Sequence, residues 1–165
     1  MKTYLHKAPE LDRISWRIIE ELQQNARISW AELGRRVGLT TPAVAERVHR
    51  LESVGIVRGY RTEISLERLG LPILIFVRLA ISGSETLVRA FQQQVKTWDE
   101  VLECHRVTGS ESFVIKARVT SMGHLERFID ELGHYGNTST TTVLSSPVQQ
   151  RVFTHNMIRQ FQSET

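Results

Sequence analysis

Leu11, Ile14, Ile18 and Leu22 recur at three- and four-residue intervals, which predicts an amphipathic helix over roughly 11–24. Asn25-Ala26-Arg27 breaks that pattern. Ser29 with Glu32 three residues later has the form of a capping box, and a second helix is expected over about 30–37, burying Ala31, Leu33 and Val37. Gly38 is its stop. Thr41 reads as the cap of a third helix. Pro42 then takes the first helical position, where a missing N–H costs nothing. That helix is expected to run to about Val54 and end at Gly55. Two helices around a short turn with glycine have the shape of a helix-turn-helix. Gly34 stands where two crossing helices need a small residue. Along the third helix, Val44, Val48 and Leu51 share the core side, whereas Ala43, Glu46, Arg47 and Arg50 project elsewhere. Residues 55–60 read as a short extended segment, either a reduced wing or a linker.

The second half changes period. Residues 73–81 are apolar on both faces, so the strand they predict is covered on both sides. A helix at about 84–96 carries Leu87, Ala90, Phe91 and Val95 on one stripe. A strand at 101–108, a turn at Gly109-Ser110-Glu111 and a paired strand at 112–119 follow. A further helix spans about 121–133, and the β-branched run at 138–144 reads as a last strand. The order βαββαβ predicts a ferredoxin-like α+β sandwich with helices on one face. The other apolar face of the first strand then needs a cover, and a second copy of the chain is the simplest one. The tail from Pro147 suits either a helix or an edge strand. The expected organisation is a (winged) helix-turn-helix domain at 1–55, a linker at 56–70, a ferredoxin-like dimerisation domain at 71–147, and a tail at 148–165.

Composition narrows the function. Apolar residues are 41% and charged residues 24% of 165, ordinary globular usage. No apolar run is long enough to span a membrane, and the opening MKTYLHKAPELD has no apolar signal core. With one cysteine, Cys104, these point to a reducing cytoplasm. The net charge of +3 is small but uneven. Residues 1–61 hold eleven Lys/Arg against seven Asp/Glu, and the remainder hold ten against eleven. The surplus lies in Arg27, Arg35, Arg36, Arg47, Arg50, Arg58 and Arg61. Guanidinium suits phosphate, so double-stranded DNA is the expected partner. The expected contacts are Arg27, Arg35, Arg36, Arg47, Arg50 and Arg58, with Thr41, Pro42, Ala43 and Glu46 at the groove-facing end of the third helix.

Other chemistry is set aside. Cys104 and His105 are adjacent on a strand and point to opposite faces, while His6, His49, His124, His134 and His155 are scattered. No metal, cofactor or catalytic residue is expected, and no phosphate-loop or dinucleotide fingerprint is present. Asp99, Glu100 and Glu103 read as a solvated rim.

The order of parts resembles the leucine-responsive/asparagine-responsive (Lrp/AsnC, feast/famine) transcriptional regulators. The resemblance rests on residues 11–14 (LDRI), 26–29 (ARIS), 33–40 (LGRRVGLT), 46–52 (ERVHRLE) with 55–57 (GIV), 103–109 (ECHRVTG) and 116–119 (KARV), and covers roughly 10–147. It implies a prokaryotic regulator that dimerises through its sheet and assembles further, to octamers or larger. It also implies an amino-acid or other small-molecule effector at the turn Thr108, Gly109, Ser110, Glu111 and Ser112. The family commonly has an aromatic residue and then an Asp where this chain has Glu111 and Ser112. Either Glu111 substitutes from a shifted position, or the chain senses something else, or nothing. Thr140, Thr141 and Thr142 could add hydroxyls to the same pocket, against a plain reading as strand formers. Two alternatives stand beside an effector-modulated regulator: an architectural protein that wraps DNA without an effector and, more remotely, a small-molecule enzyme on the ferredoxin-like half.

Overall fold

The computed structural model describes residues 11–163. Expectations for His6 and for the outer ends of the first domain and the tail lie outside those residues. The chain divides into two compact units, one from the described residues up to 62 together with those from 148 onward, the other Glu63–Pro147.

In the first unit, α1 (Arg13–Gln24), α2 (Trp30–Val37) and α3 (Thr41–Ser53) close over Ile18, Leu22, Leu33, Val37, Val44, Val48 and Leu51. Asp12 caps α1 and Ser29 caps α2, each through its side-chain oxygen. The cap of α3 is Thr40, one residue before the position expected from Pro42, and it makes no side-chain cap bond. Its backbone is extended (φ −70°, ψ 157°), while Thr41 has already entered the helix. Ala31 is exposed instead of buried, because it lies two positions, roughly 200°, from Leu33 around α2. Ile28, just before the helix, joins the core in its place.

Two glycines make the turn. Gly38 sits at φ +75°, a left-handed value that favours glycine. A Cβ on Gly34 would lie 2.6 Å from the Leu39 carbonyl oxygen. The close approach is therefore between α2 and the turn, where the Gly34 carbonyl accepts the Leu39 N–H at 2.8 Å.

Residues 55–61 form no strand. The Ile56 and Val57 N–H groups donate to the Leu51 carbonyl, and both side chains pack on the trihelical core.

The tail joins this same unit. Its helix α6 (His155–Ser163) follows a segment docked on α1. The Gln23 side chain meets the Phe153 backbone twice, donating to its carbonyl at 2.9 Å and accepting its N–H at 3.0 Å. Glu20 accepts the His155 N–H at 2.9 Å. The His155 ring stacks on Trp16 with centroids 5.1 Å apart.

The second unit is the expected βαββαβ: β1 (Ile73–Ala80), α4 (Glu85–Gln94, continued by a 3₁₀ turn at Val95–Thr97), β2 (Val101–Arg106), β3 (Phe113–Val119), α5 (Met122–Gly133) and β4 (Asn137–Thr142). The sheet order is β2-β3-β1-β4 and every pairing is antiparallel. Ile75, Val77 and Leu79 of β1 and Phe113, Ile115, Ala117 and Val119 of β3 point toward the helices. There they meet Phe91, Val95, Leu125, Phe128 and Leu132. Ala90, expected on that stripe, is exposed because it stands roughly 100° around α4 from Phe91. The opposite sheet face carries Leu74, Phe76, Arg78 and Ala80 beside Val114, Lys116 and Arg118. No helix of this unit covers it, and its apolar residues stay half-buried.

Candidate functional site

The helix-turn-helix presents α3 with three distinct edges. Val44, Val48 and Leu51 are buried. Ala43, Glu46, Arg47 and Arg50 line a cleft of about 500 Å³ with Leu11, Asp12 and Ser15 from the start of α1. Thr41, Pro42, Glu46, His49 and Ser53 are exposed. Ala43 and Arg47 thus stand on the flank nearest α1, whereas Pro42 and His49 stand on the outer face, with Glu46 and Arg50 exposed at the border between the two. On sequence alone His49 counts only as a scattered histidine and is not placed among the DNA contacts. Its position three residues after Glu46 on a helix was the available signal. Its Nδ1 meets a Glu52 carboxylate oxygen at 3.1 Å, and the Tyr60 hydroxyl donates to the other at 2.9 Å. Burial and then Glu52 push the Tyr60 hydroxyl up to about 12.

The arginines divide into two groups. Arg35 grips Glu32 at 2.7 and 2.8 Å. Arg36 reaches Glu32 at 2.7 Å and Glu21 at 2.8 Å. Arg35, then Arg36, hold the Glu32 carboxyl down at about 2. Arg47 donates to Asp12 at 2.7 Å and to the Ser15 hydroxyl at 3.2 Å. By contrast, the guanidinium groups of Arg27, Arg50 and Arg58 are exposed and carry no ion pair among the described residues. Exposed ion pairs are worth only about 0–1 kcal/mol. A polyanion could therefore compete for Arg35 and Arg36 at little cost.

The predicted effector turn closes the hairpin between β2 and β3. Gly109 adopts φ +117°. The Val107 N–H donates to the Ser112 carbonyl at 3.1 Å, and the Ser112 N–H to the Leu79 carbonyl at 2.8 Å. The Ser112 hydroxyl accepts the Ile81 N–H at 3.1 Å, so Ser112 ties the turn to the end of β1. Thr108, Gly109 and Ser110 are exposed. The Ser110 hydroxyl donates to Glu111 at 2.8 Å. That bond first, the residue's own N–H next and the charge of Arg78 hold the Glu111 carboxyl below its ordinary range. Thr140 and Thr142 pair with Val77 and Ile75, so they share the helix-covered face of edge strand β4. Thr141 pairs with Phe76 on the open face. Strand β1 stands between β4 and the turn, and Thr140 and Thr142 pair two and four residues along β1 from Leu79, which the turn meets.

Among the described residues, no cluster of three His, Cys, Asp or Glu side chains is placed to hold a metal ion. Glu100 and His124 meet at 2.8 Å, whereas Glu103 pairs with Lys116 at 2.9 Å, so the acidic rim is split between separate ion pairs. No helix among the described residues is long and apolar enough to cross a membrane.

The two units match separate family descriptions. Residues 11–52 match an AsnC-type helix-turn-helix domain, and residues 74–153 match an Lrp/AsnC ligand binding domain. The transcriptional regulator LrpC of Bacillus subtilis is 34% identical over 136 residues, covering 82% of this chain and 93% of that protein. Its solved structure aligns with a TM-score of 0.80 at 33% identity, covering 86% of this chain and 99% of the other. The leucine-responsive regulatory protein of Escherichia coli K12 is 36% identical over 123 residues, 74% of this chain and 75% of that one. A Neisseria meningitidis transcriptional regulator solved as an L-Met complex aligns with a TM-score of 0.83 at 29% identity. It covers 90% of this chain and 99% of its own.

Proposed function

The chain belongs to the Lrp/AsnC family of transcriptional regulators, and from that premise we propose a homo-oligomeric DNA-binding regulator tuned by an amino acid. The observation that carries the DNA reading is the outer face of α3, where Pro42, Glu46, His49 and Arg50 are exposed and take no part in the core. A slim N-terminal end with Thr41, Pro42 and Ala43 suits entry into a major groove, and Arg50 beyond it suits a base edge or a phosphate. Arg27 and Arg58 supply phosphate contacts directly. Arg35 and Arg36 join them by exchanging Glu32 for phosphate.

The open sheet face, centred on Phe76, is where two copies meet in this reading. Pairing of copies then presents two recognition helices to a two-fold site. The effector site is the turn Thr108–Glu111. The ionised Glu111 pairs with a ligand amino group there, while Ser112 holds the turn in place. Thr140 and Thr142 enter only if assembly brings another copy's β4 near. Support for an amino acid comes from the relative solved with L-Met. Such a ligand acts only through differential affinity for two arrangements of the assembly.

Footprinting on DNA around the chain's own gene is the first test, and a protected two-fold site is expected. No protection at low salt would end this reading. On that site, Arg50→Ala weakens binding by about 1–3 kcal/mol with relaxed specificity at one position if Arg50 reads a base. Calorimetry against the amino acids then separates two forms of the proposal. The competing form is DNA wrapping without an effector, favoured by the engagement of Glu111 with Ser110. Binding of an amino acid that shifts operator affinity or assembly supports the switch. Binding that shifts neither, or none at all, leaves the wrapping protein.

A further inference from the structure

Asp12 does two things at once. One carboxylate oxygen caps α1 by accepting the Ser15 N–H at 2.8 Å. The other accepts Arg47 Nη1 at 2.7 Å, and the same nitrogen donates to the Ser15 hydroxyl at 3.2 Å. Ser15 is 9% exposed, the one buried polar side chain among the described residues. One guanidinium from the recognition helix therefore grips both residues of the cap that begins α1, across 35 positions of sequence. Around α3, Arg47 lies one turn from Ala43 and Arg50, on the flank that lines the cleft toward α1. Glu46 lines that cleft too, but it stands roughly 100° around α3 from Arg47, toward Pro42 and His49.

Apolar contacts at Val44, Val48 and Leu51 fix which side of α3 faces the core but not its finer rotation, since the hydrophobic effect is non-directional. A charge-assisted hydrogen bond from Arg47 Nη1, on the flank beside that core, supplies the direction that they lack. We propose that Arg47 is a positioning residue for DNA binding and not a contact. Clamped to Asp12 and Ser15, it sets the rotation of α3 at which Glu46, His49 and Arg50 face the duplex. This inference rests on the DNA-binding reading and departs from the sequence expectation, which placed Arg47 among the DNA contacts. The low set-point of the Asp12 carboxyl, about 2, agrees with it: the Ser15 hydroxyl, the Ser15 N–H and Arg47 all favour the ionised form.

The two roles predict opposite signs for a residue that need not touch DNA. Asp12→Asn keeps a side-chain oxygen for the cap, because Asn caps as well as Asp, but it removes the charge that holds Arg47. The experiment uses the full chain and the footprinted duplex, with fluorescence anisotropy across a salt series for wild type, Asp12→Asn, Arg47→Gln, Arg47→Lys and Asp12→Asn/Arg47→Gln. Thermal unfolding establishes that each variant is folded at the assay temperature.

For a clamp, Asp12→Asn and Arg47→Gln each weaken binding about tenfold, in the range for one hydrogen bond to a charged group. The double variant is no weaker than the weaker single, the salt slope is unchanged, and Arg47→Lys recovers part of the loss. Tighter binding by Asp12→Asn overturns the proposal, because freeing Arg47 would then have added a DNA contact. A salt slope lower by about one in Arg47→Gln overturns it too, as does unchanged affinity in both single variants. Should Arg47→Gln fail to fold, Asp12→Asn against wild type still decides the sign. Failure of the wild type to bind any duplex would instead remove the DNA-binding reading itself.

Discussion

The two units bury apolar surface to different degrees of completion. In the helix-turn-helix unit, α1 is used on both sides: Ile18 and Leu22 face α2 and α3, while Trp16, Glu20 and Gln23 receive the tail. Its surface arginines are partly neutralised by the unit's own acids. In the sheet unit, helices cover one face, and the other leaves Leu74, Phe76, Ala80 and Val114 half-buried. The contrast indicates what each unit asks of a partner. A closed unit whose remaining surface is cationic suits a polyanion that displaces weak surface pairs. A sheet with one apolar face uncovered suits another apolar face.

Breaking one core should leave the other standing, and this is the largest effect expected. Phe91 is fully buried and packs on Phe113 at 4.7 Å, Tyr135 at 5.4 Å and Trp98 at 6.1 Å. Phe91→Ala should cost the sheet unit about 3–5 kcal/mol, a typical range for an emptied aromatic site. Calorimetry should show its transition lowered and that of the helical unit unmoved. A single shared shift would mean that the units do not unfold separately.

Phe76→Asp addresses the open face. It should leave the fold intact, since Phe76 is not part of the helix-covered core, yet dissociate the proposed dimer in sedimentation velocity. An unchanged sedimentation coefficient would remove that face as the interface between copies.

Gln23→Ala probes the closed side of the comparison. It removes both bonds to the Phe153 backbone. At about 0.5–1.5 kcal/mol for each such bond, the helical unit should lose about 1–3 kcal/mol, and amide exchange over α6 should accelerate. Unaltered exchange in α6 would show that the tail is held by other contacts.

The smallest effect is with pH. The Asp12 carboxyl titrates at about 2 in the fold against 3.8 ordinarily, so its contribution is full above about 4. It is lost as pH falls from there toward 2, because the unfolded chain takes up the proton first. Half-exposure of Asp12 keeps the effect small. Acid titration of wild type against Asp12→Asn should show a shallower decline in the variant over that window. Equal slopes would show that the Asp12 ion is not favoured by the fold.

Most of the fold was legible because its signals are local. Ser29, Gly38 and Pro42 punctuate α2, the turn and α3 within fourteen residues, and each acts on backbone groups at most four positions away. The alternation in Phe113, Ile115, Ala117 and Val119 selects one face of β3 by the strand's period of two. The misreadings were also local. Ala31 and Ala90 are apolar in type but stand on the outer side of their helices, and Thr40 took the cap assigned to Thr41.

What escaped was pairing at a distance. The pattern determined which residues are helical, which are extended and which side of each element is apolar, since these follow from propensity, capping and periodicity. Only the tertiary structure decided that Arg47 meets Asp12, that Gln23 meets Phe153 across 130 positions, and that Thr140 and the Ser110 turn stand on opposite sides of β1. A guanidinium or an amide binds whichever acceptor packing delivers within about 3 Å, and that partner is set by the closing of the whole core rather than by its neighbours along the chain.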